Sequence, residues 1–428
     1  MAAFSASSSP GTSNAIPPRH HGAGSGVEAT LLGDYEKGTE RALLIKNIPY
    51  GGASFARTCF NGLNALSGVG VLSIPYALSE GGWLSVAWLI VIAAACCYTG
   101  LLLQRCMNSG PYLQSYPDIG ESAFGLSGRI TISVVIYLEL YLVSTGFLIL
   151  EGDNLGKLFP NSSLKLGKMK IEGNQLFTLL AALVILPTTW LRSLGALAYF
   201  SLGGVMASVI LVGCVLWAGA FDQIGFHERG KLINFGGLPT SLGLYAFCYC
   251  GHAVFPALCT SMRDRTQFPK ALSVCFLLCT LNYSFMAVIG YLMYGEGIKS
   301  QVTLNLPVEN LSSKVAIYTT LINPLTKYAL MVSPIATAIE QRLLVSGGGP
   351  ASLLSRTLLV VSTVAIALSI PRFGYLMALL GSFLSVVVSL LLLCIWLELS
   401  AIMEILVTGV LVGVTGTYSS LRQIARNI

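Results

Sequence analysis

The feature that most constrains this chain is a series of eleven mostly apolar segments, each long enough to cross a membrane as a helix. A helix needs about 20 such residues to span the hydrocarbon layer, and lipid admits only helices and closed barrels as spanning structures. We therefore predict an all-α membrane protein, embedded in a lipid bilayer, with one transmembrane domain over residues 54–421. The segments are 54–78, 82–104, 129–157, 174–190, 196–220, 236–259, 270–295, 315–343, 353–371, 374–396 and 403–421.

Composition supports this class and excludes others. Charged residues make up 10% of the 428 residues, whereas soluble proteins carry about 25%, so lipid has to cover much of the surface. The net charge of +6 is scattered along the chain, which argues against a nucleic-acid partner. Most of the eleven cysteines lie in or beside apolar runs, where thiols behave as small hydrophobic groups. The sequence therefore indicates neither a disulfide framework nor a metal site.

The first 53 residues lie outside the apolar pattern. Residues 1–26 are rich in Ser, Gly, Ala and Pro and hold little to bury, so we expect residues 1–53 to form a disordered segment. With a cytoplasmic N-terminus, more of the arginines fall on the cytoplasmic side, and glycosylation sequons at Asn161 and Asn310 fall on the opposite side. Both observations favour that orientation.

Two of the segments carry the same interruption. Gly70 precedes Pro75 in the first segment, and Gly251 precedes Pro256 in the sixth, each by five residues. Both residue types weaken a helix, and the backbone groups they free must line a cavity or pack within protein. Because the interruptions lie five segments apart, an odd number, the two halves would be inverted repeats, as in transporters that bind substrate at the midplane. The halves would be 54–220 and 236–396, with 403–421 as an extra helix. Two unrelated proline kinks are the alternative.

Three ionisable residues within the segments are candidates for proton coupling. Glu139 lies in the third segment and Lys327 in the eighth, which correspond under the repeat. A charge at that depth costs about 2.5–3.5 kcal/mol and generally faces the bundle interior. His252 directly follows the glycine of the second interruption and is of the type that titrates near neutral pH. The alternatives are a structural carboxylate, a lysine that reaches the interface and a structural histidine.

Three motifs resemble those of one known family. They are NGLNALSGVGVLSIPYA at 61–77, followed by GGW at 81–83, YPDIGESAFG at 116–125 and NPLTKYAL at 323–330. Residues 50–421 on this basis resemble the amino acid/auxin permease family, above all its plant vacuolar amino acid transporters. The resemblance implies a LeuT-like five-plus-five inverted repeat with discontinuous helices 1 and 6, plus an eleventh helix. It also implies proton-coupled transport of neutral amino acids, often at the vacuolar membrane, with the plasma membrane as the alternative. The connection before the last segment is shorter than is usual in the family.

An amino acid carries a carboxylate and an ammonium group, and the two interruptions offer partners for both. The N–H groups at the start of a helix suit a carboxylate, and unwound carbonyl groups suit an ammonium. The predicted substrate-binding residues are Ser67, Gly68, Val69, Gly70, Ser73, Tyr249, Cys250, Gly251 and Tyr141. Close helix packing by the small residues, and core packing by Tyr141, are the alternatives.

These observations predict a secondary active transporter of neutral L-amino acids that works by alternating access. In the LeuT-like architecture Lys327 would supply a positive charge in place of a bound cation, so we favour protons over sodium. Four histidines, three of them outside the segments, offer no catalytic set, so we expect neither an enzyme nor a cofactor. The alternative function is an amino acid sensor that uses the same central pocket. A channel is less consistent with paired interruptions, since channels tend to have continuous pore-lining helices or charged rings.

Overall fold

Most of the described chain is helical. A computed structural model describes residues 52–110, 112–166, 169–171, 173–190, 197–342, 349–370, 373–391 and 403–427. These residues form thirteen α-helices and one two-stranded hairpin, in which β1 (Leu164–Leu166) pairs with β2 (Met169–Ile171). The helices are α1 Phe55–Leu66, α2 Gly70–Gly81, α3 Ser85–Asn108, α4 Tyr116–Leu158, α5 Gly173–Trp190, α6 Leu197–Phe221, α7 Leu238–Cys248, α8 Phe255–Ser261, α9 Phe268–Tyr294, α10 Leu311–Arg342, α11 Pro350–Ser369, α12 Phe373–Leu379 and α13 Met403–Asn427. Two π-helical turns, Leu380–Ser385 and Val387–Leu391, continue α12.

Six helices of the described chain are long and apolar enough to cross a membrane. They are α3, α4, α5, α11, the part Gly203–Phe221 of α6, and α9 together with the 3₁₀ turns that flank it. The bent pair α1 and α2 passes the same test as one span. Each of the eleven predicted segments overlaps one helix or a pair, although 392–396 of the tenth lie outside the described residues, and eleven crossings stay a prediction. The predicted connection before α13 lies mostly outside the described residues, and α13 runs past the expected end at 421 to Asn427.

Exposed apolar side chains on α4 indicate a lipid-facing surface. Leu126, Ile130, Val134 and Leu138 are 65%, 44%, 58% and 42% exposed, and they follow one another at every fourth residue. Side chains four apart share one face of a helix. The next residue, Glu139, is only 3% exposed and points into the protein. Since water does not favour a stripe of this kind, α4 has the surface of a helix packed on one side by protein and on the other by lipid.

The first predicted interruption separates α1 from α2. Helix α1 ends at Leu66, and α2 begins at Gly70 with its axis turned by 51°. Ser67 closes α1 with φ −77° and ψ 63°, which is not helical. Pro75 lies inside α2 rather than at the break. The change of direction therefore takes place at the small residues that precede the proline.

The second interruption is longer and separates α7 from α8. Tight turns replace helical bonds here, with the Tyr249 N–H donating to the Ala246 carbonyl at 3.3 Å and the Val254 N–H donating to the Gly251 carbonyl at 2.9 Å. Pro256 is the second residue of α8, where its missing N–H removes no helical bond. The predicted sixth segment is thus two short helices joined by six non-helical residues, 249–254.

The two interrupted segments run in opposite directions, and backbone bonds join them at both ends. Past the end of α2, the Trp83 N–H donates to the Lys231 carbonyl, before α7, at 3.1 Å. Before α1, the Ala53 N–H donates to the Ser261 carbonyl at 2.7 Å and its carbonyl accepts the Arg263 N–H at 3.0 Å. Ala53 is the last residue of the segment predicted to be disordered, and residues 1–51 of that segment lie outside the described residues.

Candidate functional site

A small cavity lies beside the first break. A β-carbon added at Gly68 would meet no atom within 4 Å, which shows that this face of the backbone is open. The cavity is narrow, and its interior has room for about one water molecule. Its lining comes from the break and α2 (Gly68, Val69, Val71 and Leu72), from α6 (Ala207, Ser208 and Leu211) and from α10 (Thr319, Thr320 and Asn323). No charged side chain is among these lining residues.

The start of α2 offers unpaired N–H groups at this cavity. Within the described chain, no backbone or side-chain acceptor is shown for the N–H groups of Val69 and Gly70. A helix leaves its first N–H groups without internal partners, and their partial positive charge suits an anion. Ser67 is fixed nearby, because its Oγ donates to the Ser208 Oγ at 2.8 Å. These N–H groups are therefore candidate donors to a carboxylate at the break.

Glu139 reaches the second break rather than the first. The Cys250 Sγ donates to the Glu139 Oε1 at 2.6 Å, and the Ser385 Oγ donates to the same oxygen at 2.9 Å. Burial of a carboxylate is costly unless donors compensate it, and here the first π-helical turn after α12 and the unwound segment each supply one. Across the described residues, no lysine, arginine or histidine nitrogen lies within 4 Å of this carboxylate.

The side chains of His252 and Tyr249, both in the second break, contact different neighbouring helices. The His252 Nε2 lies 2.8 Å from the Thr99 Oγ1 on α3, and no partner is found for its Nδ1 in the part of the chain described. The Tyr249 hydroxyl donates to the Thr280 Oγ1 at 3.0 Å on α9, and its ring stacks on Phe276. The Tyr249 side chain is therefore committed to packing, and only its backbone remains for a ligand.

Lys327 reaches the first break. Its Nζ donates to the carbonyl of Asn64, in the last turn of α1, at 3.2 Å. The Asn64 Oδ1 is buried and has no partner among the described residues. Helix α6 approaches closely here, since a β-carbon at Gly204 would lie 1.9 Å from that oxygen. The three predicted proton-coupling residues are thus divided, with Lys327 at one break and Glu139 and His252 at the other.

Two predicted substrate-binding side chains have other partners. The Ser73 Oγ donates to the Gly70 carbonyl within α2 at 3.2 Å. The Tyr141 hydroxyl donates to the Ser362 Oγ on α11 at 2.9 Å, and neither residue lines the cavity. Gly251 contributes close packing, because a β-carbon there would lie 2.8 Å from the Phe255 ring.

Neighbouring helices bring to the breaks polar residues that were not among the predicted site residues. The Tyr283 hydroxyl on α9 donates to the Leu66 carbonyl at 2.5 Å and lies 3.4 Å from the Cys248 carbonyl. Ser208 and Asn323 line the cavity. All three interrupt apolar segments near their middle, which was a usable signal. Nothing in the sequence indicated which break each would reach.

Comparison with known proteins gives consistent results. The profile of a family described as transmembrane amino acid transporter protein matches residues 51–404. Amino acid transporter AVT1I of Arabidopsis thaliana is 50% identical, over 88% of this chain and 97% of that protein. Amino acid transporter AVT1J of the same plant is 46% identical, over 90% of this chain and 95% of its own length. Amino acid transporter AVT1B, also from this plant, is 45% identical, over 88% of this chain and 72% of that protein.

Proposed function

This chain belongs to the transmembrane amino acid transporter protein family, and we propose that it carries neutral L-amino acids by alternating access, coupled to the proton gradient. It is a multi-pass membrane protein and a transporter, not an enzyme. The observation that carries the proposal is that each interrupted segment meets one ionisable side chain from a helix of the other half. Glu139 meets the break of the sixth segment, and Lys327 meets the end of α1.

These two contacts are related by exchange of the halves. A five-plus-five repeat pairs the first segment with the sixth and the third with the eighth. Glu139 of the third segment bonds to Cys250 of the sixth, and Lys327 of the eighth bonds to Asn64 of the first. Exchange of the halves turns one contact into the other. This reciprocity supports a LeuT-like repeat more strongly than the glycine and proline spacing does.

A second pair of contacts obeys the same exchange. Thr99 of the second segment bonds to His252 of the sixth, and Tyr283 of the seventh bonds to Leu66 of the first. The antiparallel course of the two interrupted segments is what an inverted repeat requires. Both observations support the assignment of 54–220 and 236–396 as the two repeats.

The chemistry of the breaks supports a zwitterionic, neutral substrate. The substrate carboxylate would accept hydrogen bonds from the N–H groups of Val69 and Gly70 at the first break. The ammonium would donate to carbonyl groups near Cys250 at the second break. The side chain would extend beside Gly68. Since the cavity lining carries hydroxyl, amide and apolar groups without a charge, a charged substrate side chain would find no ionic partner there.

Lys327 is the main proposed proton-coupling group. When it is protonated, the bond from its Nζ to the Asn64 carbonyl is charge-assisted, which makes it about twice as strong as a neutral hydrogen bond. Loss of the proton would weaken the hold of α10 on the end of α1. The protonation state of Lys327 would therefore influence whether α1 stays in place or moves. Alternating access requires such a movement of α1. Glu139 and His252 would be secondary proton carriers at the second break.

Uptake of radiolabelled amino acids into proteoliposomes, with a pH gradient of either sign, tests this function. We expect uptake that follows the gradient in the wild type and is lost in Lys327→Ala. Lys314→Ala is the matched control, because Lys314 is an exposed lysine of the same helix. Gradient-independent uptake in the wild type, or gradient-driven uptake in Lys327→Ala, would refute proton coupling through this residue. A sensor, the alternative function, would bind amino acid without uptake.

The proposed location is the vacuolar membrane, with the plasma membrane as the alternative and the N-terminus in the cytoplasm. This part of the proposal rests on the family motifs and on the distribution of arginines. A fluorescent fusion at the C-terminus, imaged in plant cells beside a vacuolar membrane marker, would separate the two membranes. Protease access to an N-terminal epitope in intact vacuoles would test the orientation.

A further inference from the structure

A groove lies between α4 and α10 on the lipid-facing side of α4. Its volume is about 830 Å³, within the range of about 300–1,000 Å³ that is usual for ligand sites. Three residues of the exposed apolar stripe on α4 line it, namely Leu126, Ile130 and Val134. Helix α10 supplies the other apolar wall, with Ile335, Ala338 and Ile339. The groove is therefore continuous with the surface that lipid covers.

The length of the groove matches one leaflet of a bilayer. Its wall on α4 runs from Leu126 to Tyr137, which is about 16 Å at a rise of about 1.5 Å per residue. The hydrocarbon layer of a bilayer is about 30 Å thick, so the wall spans about half of it. A lipid chain that enters at one end of the groove would be in contact with protein over most of its length.

Polar groups gather at the end of the groove where Arg129 lies. The Tyr137 phenol is close enough to the Arg129 guanidinium to interact with it electrostatically, because long side chains on a helix point back towards its N-terminus. The hydroxyl groups of Tyr137 and Ser133 have no hydrogen-bond partner within the described residues. The ion pairs of Arg129 use only its Nη1. Guanidinium and hydroxyl donors are thus available for a phosphate, which arginine binds well.

Two carboxylates lie beside the same end. The chain turns sharply within α4, where Gly125 has φ 65° and ψ −156°. The turn brings the first residues of α4 back to Arg129, whose Nη1 contacts Glu121 and lies 3.7 Å from the Asp118 Oδ1. Two negative charges and one positive charge leave a net charge of −1 at this end. Such a charge attracts an ammonium group and repels a head group that is only anionic.

We propose that the groove binds a zwitterionic phospholipid, with its phosphate at Arg129 and the two hydroxyl groups, its ammonium beside the two carboxylates, and one acyl chain along the apolar walls. The donors alone would suit any phospholipid, and the carboxylates select the zwitterionic kind. Since both walls contribute, the bound lipid links α4 to α10. The inference does not depend on which substrate the protein carries.

The test measures the binding of single lipids to the purified, delipidated full chain. Native mass spectrometry counts the bound lipids, and the rise in melting temperature gives their affinity. We expect phosphatidylethanolamine to bind roughly tenfold more tightly than phosphatidylglycerol, which lacks the ammonium, or diacylglycerol, which lacks the phosphate.

Two pairs of variants locate the site. Arg129→Gln should weaken the binding of phosphatidylethanolamine roughly tenfold, as the loss of one charge-assisted hydrogen bond does. Arg105→Gln is its control, because Arg105 is an exposed arginine in the last turn of α3 and does not line the groove. Ala338→Phe should fill the groove and remove the single-lipid adduct. Thr337→Phe, at the exposed neighbouring position outside the groove, should leave the adduct unchanged.

Several results would overturn the inference. Equal binding of the three lipids would mean that the head group is not recognised, and tighter binding of phosphatidylglycerol would refute the zwitterionic assignment. Wild-type binding in Arg129→Gln or in Ala338→Phe would place the lipid elsewhere. A dimer that is lost in Ala338→Phe would make a second copy of the chain the occupant. Should Arg129→Gln not fold, Ser133→Ala combined with Tyr137→Phe keeps the ion pairs and carries the same expectation.

Discussion

Replacement of Gly68 by alanine should leave the fold at the first break intact and weaken substrate binding there. A β-carbon at this position would meet no atom within 4 Å, and the backbone of Gly68 does not have positive φ. Alanine at a compatible position stabilises a protein by about 0.4–1 kcal/mol, because it restricts the unfolded chain. We therefore expect Gly68→Ala to fold at least as well as the wild type.

The same methyl group should weaken substrate binding. It would occupy part of this narrow cavity, at the place where the substrate is proposed to approach the backbone. Extra methyl groups in a packed site cost about 1–3 kcal/mol, which corresponds to a loss of affinity of about 5-fold to 150-fold. Affinity should thus fall while the melting temperature holds or rises.

The assay is KM for radiolabelled amino acid in proteoliposomes, with thermal unfolding in detergent measured on the same preparation. Gly213→Ala is the matched control, since Gly213 lies on an exposed face of α6 and its β-carbon would also meet nothing within 4 Å. The control should keep the wild-type KM. A wild-type KM in Gly68→Ala, or a melting temperature below that of the wild type, refutes the reasoning.

Three further predictions concern the second break and the helix bundle. Glu139→Gln keeps an acceptor oxygen but removes the charge, so proteoliposome uptake should lose most of its dependence on the pH gradient. Gly381→Ala should lower stability by about 3 kcal/mol in thermal unfolding, because its β-carbon would lie 1.7 Å from the Gly243 carbonyl oxygen. Arg356→Met should cost about 3–5 kcal/mol, since it leaves Glu340 buried without the ion pair at 2.8 Å, and Glu340→Met in the same chain should recover most of the loss.

Each of these has a clear contrary result. Gradient-driven uptake that survives in Glu139→Gln would leave the carboxylate a structural role only. A wild-type melting temperature in Gly381→Ala would mean that α12 and α7 are not in the close contact described. If the double replacement of Arg356 and Glu340 is no more stable than Arg356→Met alone, the two residues do not act as a pair.

The interruptions were predictable because glycine and proline act on the backbone locally. The positions of the two interruptions along the chain were less predictable. The first break lies at residues 67–69, whereas Pro75 lies five residues into α2. Membership of the family followed from the motifs, and the family profile confirms it.

The partners of the site residues were not predictable, because they depend on which faces of distant helices meet. Glu139 and Lys327 were both expected at the centre, but only the packing of α4 and α10 decides that they reach different breaks. Tyr249 was expected to offer its backbone carbonyl to the substrate, but nothing in the sequence indicated that its ring would pack between aromatic neighbours on α9. A hydropathy pattern records that a residue is buried and leaves open what it touches.

The backbone bonds between Ala53 and the chain after α8 have a practical consequence. They fasten α1 and α8, two short helices of the first and sixth segments, to one another. Neither half-helix can swing outward without the other, unless both bonds break first. A chain shortened beyond Ala53 would lose both bonds, and α1 and α8 could then move independently.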